Sequence, residues 1–383
     1  MTDSVKENQK KRTSARSIRN WIPPLFLIGC GFAAVSGILL ILCRQNETWA
    51  DGINHYYGGL IRIASCYLTQ LIPFSVAETL LLFSPFLAFL LIRRAWIRGK
   101  ESICACVRYL LKLVGVIGIV FSLFASSLGF GFSESSIASK LRLQEKKVTA
   151  EELAETMTWL IGEANALCSE VDFVYGDRSV SPLTGLLELC TELTDGFHRF
   201  RQDCPSFYSF PSVVKPVAIS EGMSYTHFTG MFTFFTGEAN LNIDFPDYTL
   251  PFTAAHEMAH QRGFAREKEA NFVAFLVTVS CDSPYIRYSG YVSMVEYFSS
   301  ALYKADKDLW KETMGKLDAR IQGELRSYNA FFAKYKESQA AKVSTAINDS
   351  YLKQQGQSAG AASYGLVVDL TVAYYQQRIQ GNR

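Results

Sequence analysis

Residues 256–271 read HEMAHQRGFAREKEAN. On an α-helix, residues four apart share a face, so His256 and His260 can aim imidazole nitrogens at one ion. Glu257 beside them can then reach a water at an open coordination position. This is the H-E-x-x-H pattern of zinc peptidases. The chain has only five histidines, so two at this spacing around a glutamate form a specific signal. An ordinary pair of surface histidines is the plain alternative, and the context opposes it. Ala254, Ala255 and Ala259 leave room for close packing, and Gly263 stops the helix three residues after His260.

The third ligand must come from further along. A histidine six residues after His260 would complete a different zinc pattern, but that position is Arg266. The other solution is a glutamate on a following helix, with a polar side chain four residues later to steady one histidine. Glu267 and Asn271 have that spacing, and Ala270 and Ala274 on the same face let two helices approach. Glu269 lies instead above the bulky side formed by Phe272, Val273 and Leu276. The expectation is one Zn2+ per chain held by His256, His260 and Glu267, with Glu269 the second choice and Asn271 as support. Carboxylates at a helix start are also favoured by the helix dipole alone, the ordinary explanation for both glutamates.

Upstream, residues 205–250 change character. Many are β-branched or aromatic, punctuated by Gly222, Gly230 and Gly237, and they read as a small antiparallel sheet, the one β region of the chain. Met231, Phe232, Thr233, Phe234 and Phe235 are the candidate edge strand, able to pair with extended substrate through main-chain hydrogen bonds. A buried strand is an equal alternative. Glu238 and Asn240 either face the cleft or make the turn, and His227 alternates with Phe228 in a structural role. Residues 133–204 read as helical, with a capping box formed by Thr149 and Glu152. Beyond the sheet, 251–280 form the metal-site helices, and further helices are expected over 291–305, 307–338 and 364–380. Tyr285, Tyr288 and Tyr291, just past the ligand helix, are candidate donors to an oxyanion. The chain holds 19 tyrosines, so packing is the ordinary reading of each.

The first third of the chain is different again. Residues 22–43, 71–92 and 113–132 are apolar runs carrying at most one charge, Glu78, and each reaches the roughly 20 residues a membrane crossing needs. The first run is too long for the apolar part of a signal peptide, and no small-x-small cleavage site follows Cys43. Basic residues gather before the first run (Lys6, Lys10, Lys11, Arg12, Arg16, Arg19) and between the second and third (Arg93, Arg94, Arg98, Lys100, Arg108, Lys112). The positive-inside rule then places those parts in the cytoplasm and everything after Ser133 outside a cytoplasmic membrane. The fold class expected is a mainly α membrane protein: a membrane domain over 1–132 and an α+β extracytoplasmic domain over 133–383. The net charge of +2 gives no nucleic-acid surface. Cys168, Cys190, Cys204 and Cys281 in the exported part permit disulfides without requiring them, and Cys104 and Cys106 are expected as plain thiols.

Three N-terminal spans, the stretch GMFTFFTGEANLN, the block LPFTAAHEMAHQRGFAREKEANFVAF and the late segment NDSYLKQQGQSAGAASYGLVVDL together resemble the bacterial membrane family called domain of unknown function 3810. The resemblance covers most of the chain and is loosest over 133–204. It implies a membrane-bound, zinc-dependent peptidase-like (zincin-like) fold with no established substrate. The spacing of the two histidines and the following glutamate is also similar to gluzincin peptidases. In those, an aspartate often stands where this chain has Asn271.

The function expected is peptide-bond hydrolysis outside the cytoplasmic membrane, with Glu257 as the general base and membrane lipid, a peptide or protein substrate and a membrane partner protein as the surroundings. The alternative is a noncatalytic zinc-binding ectodomain serving as a sensor or binding module. A purely structural site has no need of Glu257, which disfavours it. Cleavage within the bilayer is opposed by Arg262, Arg266, Glu267, Lys268 and Glu269 around the motif, since buried charges in lipid cost several kcal/mol.

Overall fold

The computed structural model describes residues 21–336, 338–355, 357 and 367–381. The basic cluster from Lys6 to Arg19, which carried part of the orientation argument, lies outside the described residues, as do 364–366 of the last expected helix.

Three helices are long and apolar enough to cross a membrane: α1 (Pro24–Gln45), α3 (Val76–Glu101) and α4 (Ile103–Ser127). The first two are separated by a helical connection that ends in α2 (Gly59–Gln70). Residues 44–70 between the first two spans hold the short helix Glu47–Gly52, a π-helical run Ile53–Gly58 and α2. The expected basic loop after Ile92 is corrected. Arg, Lys, Ala and Trp are compatible with a helix once the chain leaves lipid, so α3 continues to Glu101 and α4 begins at Ile103. Ser102 alone joins them, capping α4 through the amide of Ala105. α3 buries none of its residues and leaves Leu81, Phe83, Phe86 and Phe89 exposed, a surface consistent with contact with lipid.

Most of the chain after α4 packs around one hydrophobic core running from Ile137 to Ala373. Helix α5 (Ala150–Leu167) opens on the expected capping box, and α6 (Leu186–Asp203) follows. Between them is a feature the sequence reading missed, a two-stranded hairpin of β1 (Phe173–Val174) and β2 (Arg178–Ser179). Its turn places Tyr175 and Gly176 at positive φ, and a loop that short reads from sequence as a plain break.

The three-stranded sheet consists of β3 (Lys215–Pro216), β4 (Gly230–Thr233) and β5 (Glu238–Leu241) in the order β3-β5-β4. β4 and β5 form an antiparallel hairpin, but β3 runs parallel to β5, so the sheet is mixed rather than antiparallel. The helical turn Ser220–Ser224 between β3 and β4 supplies the crossover a parallel neighbour requires. β4 starts only at Gly230. His227 stands in the preceding turn at positive φ, its ring bonded to the Tyr335 carbonyl.

Next come α7 (Leu250–Gln261), with Pro251 in its first turn, and α8 (Glu267–Val279). Then follow α9 (Pro284–Ala305), α10 (Ala319–Ala333), α11 (Gln339–Gln354) and α12 (Val367–Tyr374). The single helix expected over 307–338 is broken: Lys307–Met314 ends near Gly315, and Asp318 caps α10. Helix α11 was not expected. All nine cysteines are free thiols.

Candidate metal centre

Helix α7 lies under β4 and β5, and its end is set by Gly263 at φ +104°, a conformation that a residue with a Cβ adopts only under strain. The amides of Gly263 and Phe264 return to the carbonyls of His260 and Ala259 and close the helix. The chain then turns back, and α8 starts at Glu267 against the last turn of α7. The reversal brings the Glu267 carboxylate between the two histidines.

Three atoms converge there. His256 Nε2 is 3.1 Å from His260 Nε2, and Glu267 Oε2 is 3.3 Å from the first and 3.5 Å from the second. An ion bound tetrahedrally at about 2.0–2.1 Å holds its ligand atoms roughly 3.3 Å apart. The triangle therefore has the dimensions of three ligands of one zinc-sized ion, and these three residues form the one such group among the described residues. Glu267 Oε2 is buried without a hydrogen-bond partner, so its lone pairs are free to bind an ion. His260 Nδ1 lies 2.7 Å from the Phe264 carbonyl, which fixes a proton on Nδ1, so the neutral imidazole carries its lone pair on Nε2. The residues present thus fit zinc by donor type, spacing and tautomer.

Electrostatics point the same way. Burial alone would raise the Glu267 carboxyl, but the adjacent histidines outweigh it and hold it well below the usual carboxylate range. Burial would lower His260, yet Glu267 and Glu257 beside it carry it up to about 9. Without a metal, the pocket draws protons to balance its carboxylates, and a divalent cation performs the same balancing.

Glu257 faces the cavity next to the three. Burial pushes its carboxyl up, against the opposing pull of His256 and His260. It accepts from the Phe232 amide, on the side of β4 that does not pair with β5. Gly230 makes this approach possible: a Cβ there would stand 2.6 Å from Glu257 Oε1. Of the expected substrate strand, Met231, Phe232 and Thr233 lie in β4, while Phe234 and Phe235 belong to the turn after it. β4 is an edge strand, as that role requires.

Glu269 points elsewhere. It accepts from Arg266 at 2.7 Å and from the Ile137 amide at 3.1 Å, tying α8 to the chain just past α4. Asn271 is buried and hydrogen-bonds Tyr297. The Phe264 carbonyl, not Asn271, steadies His260, and His256 Nδ1 has no hydrogen-bond partner. Tyr285, Tyr288 and Tyr291 line neither cavity at the cluster. They face the helical core from α9, where Tyr288 donates to Glu324 and Tyr291 packs on Trp159 and Phe275.

The tyrosine that lines the cavity over all four cluster residues is Tyr351 of α11. With Asn348 it closes a cavity of about 290 Å³ over His256, Glu257, His260 and Glu267. Burial, with the Glu267 carboxylate nearby, raises its phenol and keeps the proton available for donation. Sequence spacing carries no signal for it, because α11 lies far along the chain from α7 and α8 and meets them only in the folded structure.

A second cavity of about 290 Å³ meets the first at His256 and is lined by Thr229, Thr253, Asn271, Ser293 and Glu296. No curated protein and no solved structure matches the chain. The model of a family described as protein of unknown function (DUF3810) matches residues 54–372, a span containing the whole His256–His260–Glu267 cluster and α11, and the chain belongs to that family.

Proposed function

We propose that the protein is a membrane-anchored zinc metallopeptidase whose working site lies outside the cytoplasmic membrane. The observation that carries this reading is the triangle of His256 Nε2, His260 Nε2 and Glu267 Oε2 at zinc-ligand spacing, with Glu257 beside it and a strand edge facing it. The basic residues Arg93, Arg94, Arg98, Lys100, Arg108 and Lys112 flank the α3–α4 hairpin tip and support a cytoplasmic side for that end.

When bound, zinc supplies Lewis acidity for an acyl carbonyl and lowers the pKa of water toward neutrality. The rest falls to the protein. The free edge of β4 aligns an extended chain across the cavity through main-chain hydrogen bonds. Glu257 takes the proton from the attacking water and returns it to the leaving amine, a role suited to a carboxyl raised by burial. Tyr351 donates to the oxygen that gains charge in the tetrahedral transition state.

The test uses the full-length protein in detergent, because the spans touch the site. One zinc per chain by elemental analysis, together with cleavage of peptide mixtures that disappears in Glu257→Gln while zinc is retained, is the expected result. A folded protein that takes up no zinc would end this reading.

A further inference from the structure

The cleft is joined to the membrane helices at several points, and the joints fix its height. At the end of α4, Ser127 Oγ donates to the Phe234 carbonyl at 3.0 Å. At the start of α3, the amides of Val76 and Ala77 donate to the Glu238 carboxylate at 3.0 and 2.8 Å, and Ser75 Oγ bonds Asn240 at 2.7 Å. Lys215 Nζ lies 2.5 Å from the same carboxylate and also reaches the carbonyls of Thr69 and Phe74. Both ends of the β4–β5 turn are therefore pinned to the ends of spans.

The spans also set a scale. From Lys112 to Phe124 on α4 the helix rises about 18 Å, and from Arg93 to Val76 on α3 about 26 Å. Both are shorter than the hydrocarbon core of roughly 30 Å. With the basic residues at one face, the start of α3 stands near the acyl boundary of the other, and Phe124, about 12 Å short of it by the same count, stands on its apolar side. Phe124 lines the metal cavity, with Leu128 and Phe132 just beyond it in the chain.

The charges around the motif do not oppose this position. Arg262 is buried and donates to the Phe210 and Met258 carbonyls and Ser212 Oγ, and Arg266 is paired with Glu269.

The cleft is also graded in polarity. On the membrane side of His256 the walls are mostly apolar, Phe124, Leu128, Phe132, Phe228, Met231 and Phe234, with Asn348 and Tyr351 as the polar groups beside the cluster. On the other side, apart from Phe252 and two tyrosines, they are threonine and serine hydroxyls, Asn271 and Glu296. A chain lying through both would be apolar toward the bilayer and polar away from it.

Building on the peptidase reading, we propose that the substrate is a polypeptide anchored in the same membrane, cut where its chain leaves the bilayer. Its apolar juxtamembrane residues occupy the cavity floored by α4, and its polar residues continue past His256 toward Glu296. β4 holds the segment extended between the two.

The test uses zinc-loaded full-length protein in lipid vesicles. The probe is a pool of synthetic peptides, each a single apolar span followed by a randomised segment of a dozen residues. It is presented in the same vesicles, in separate vesicles, or as the segment without its span. Cleavage at least tenfold faster in the same vesicles, at bonds next to the span, is expected. Leu128→Asn should remove most of that preference while zinc content stays unchanged. Equal cleavage of anchored and free segments would overturn the substrate assignment and leave the peptidase reading intact, whereas no cleavage of any form would overturn both. A readout independent of activity is tryptophan quenching in Met231→Trp by lipids brominated near the glycerol end of the acyl chain. Quenching above the wild-type background supports the height deduced here, and its absence overturns the assignment.

Discussion

Replacing Glu267 and Glu269 one at a time separates a metal ligand from a structural carboxylate. Glu267 Oε2 stands 3.3 and 3.5 Å from the two histidine nitrogens. Glu269 instead holds Arg266 and the Ile137 amide. Zinc supplied at 100 times its dissociation constant stabilises the folded state by about 2.7 kcal/mol. In wild type, chelation should remove that increment, seen as a downward shift of the unfolding transition of the detergent-solubilised protein. Glu267→Ala should carry no stoichiometric zinc and show no chelation shift. Glu269→Ala leaves Arg266 short of its carboxylate. Breaking such a pair costs about 3–5 kcal/mol when the partner charge is fully stranded. The Phe132 and Glu134 carbonyls still hold Arg266, which puts the expected loss at the lower end, about 3 kcal/mol. That variant should therefore unfold earlier, yet keep one zinc and the full chelation shift. The reverse pattern, zinc kept in Glu267→Ala and lost in Glu269→Ala, would refute the assignment of ligands and the geometry behind it.

Further outcomes follow from individual side chains. Tyr351→Phe should lower turnover of a cleaved peptide about 100-fold or more with zinc content unchanged. Tyr288→Phe, which loses its bond to Glu324, should leave turnover alone and cost about 1–3 kcal/mol of stability. Gly230→Ala places a methyl against Glu257 and should abolish cleavage while zinc binding persists, so full activity in that variant would show that Glu257 does not work in this position. Glu238→Gln removes the charge facing the Lys215 ammonium, which the Thr69 and Phe74 carbonyls still hold, and should destabilise the protein by about 3 kcal/mol, the lower end for a broken buried pair, read from its unfolding transition. Burial pushes the Glu296 carboxyl up from 4.5 to about 7. The folded state then holds this proton more tightly than the unfolded chain. The resulting stability is complete below pH 4.5 and lost as pH rises to 7, at most about 3 kcal/mol. Glu296→Gln should flatten that part of the stability profile.

Much of the site was legible because its parts are local. His256, Glu257, His260 and Glu267 lie within two helical segments, and helical periodicity with a glycine stop is enough to predict which side chains can meet. The spans were legible for a similar reason, since a run of apolar residues is a property of the segment itself. Their ends were not. Charge marks where a chain leaves lipid, but it does not stop a helix, so α3 and α4 run past the arginines to meet at Ser102.

The sequence by itself determined the chemistry offered to a metal and the existence of three apolar helices near the N-terminus. Tertiary structure alone decided which tyrosine closes the cavity, which face of β4 is free, and how near the cluster stands to the spans. Tyr351 and Glu267 lie far apart in the chain and line one cavity only in the folded structure, and Glu238 meets the start of α3 because the β4–β5 turn lies against it. Such contacts join residues far apart in the chain. Their energies come from burial and from hydrogen bonds completed only in the folded state, and no local pattern of residue types records them.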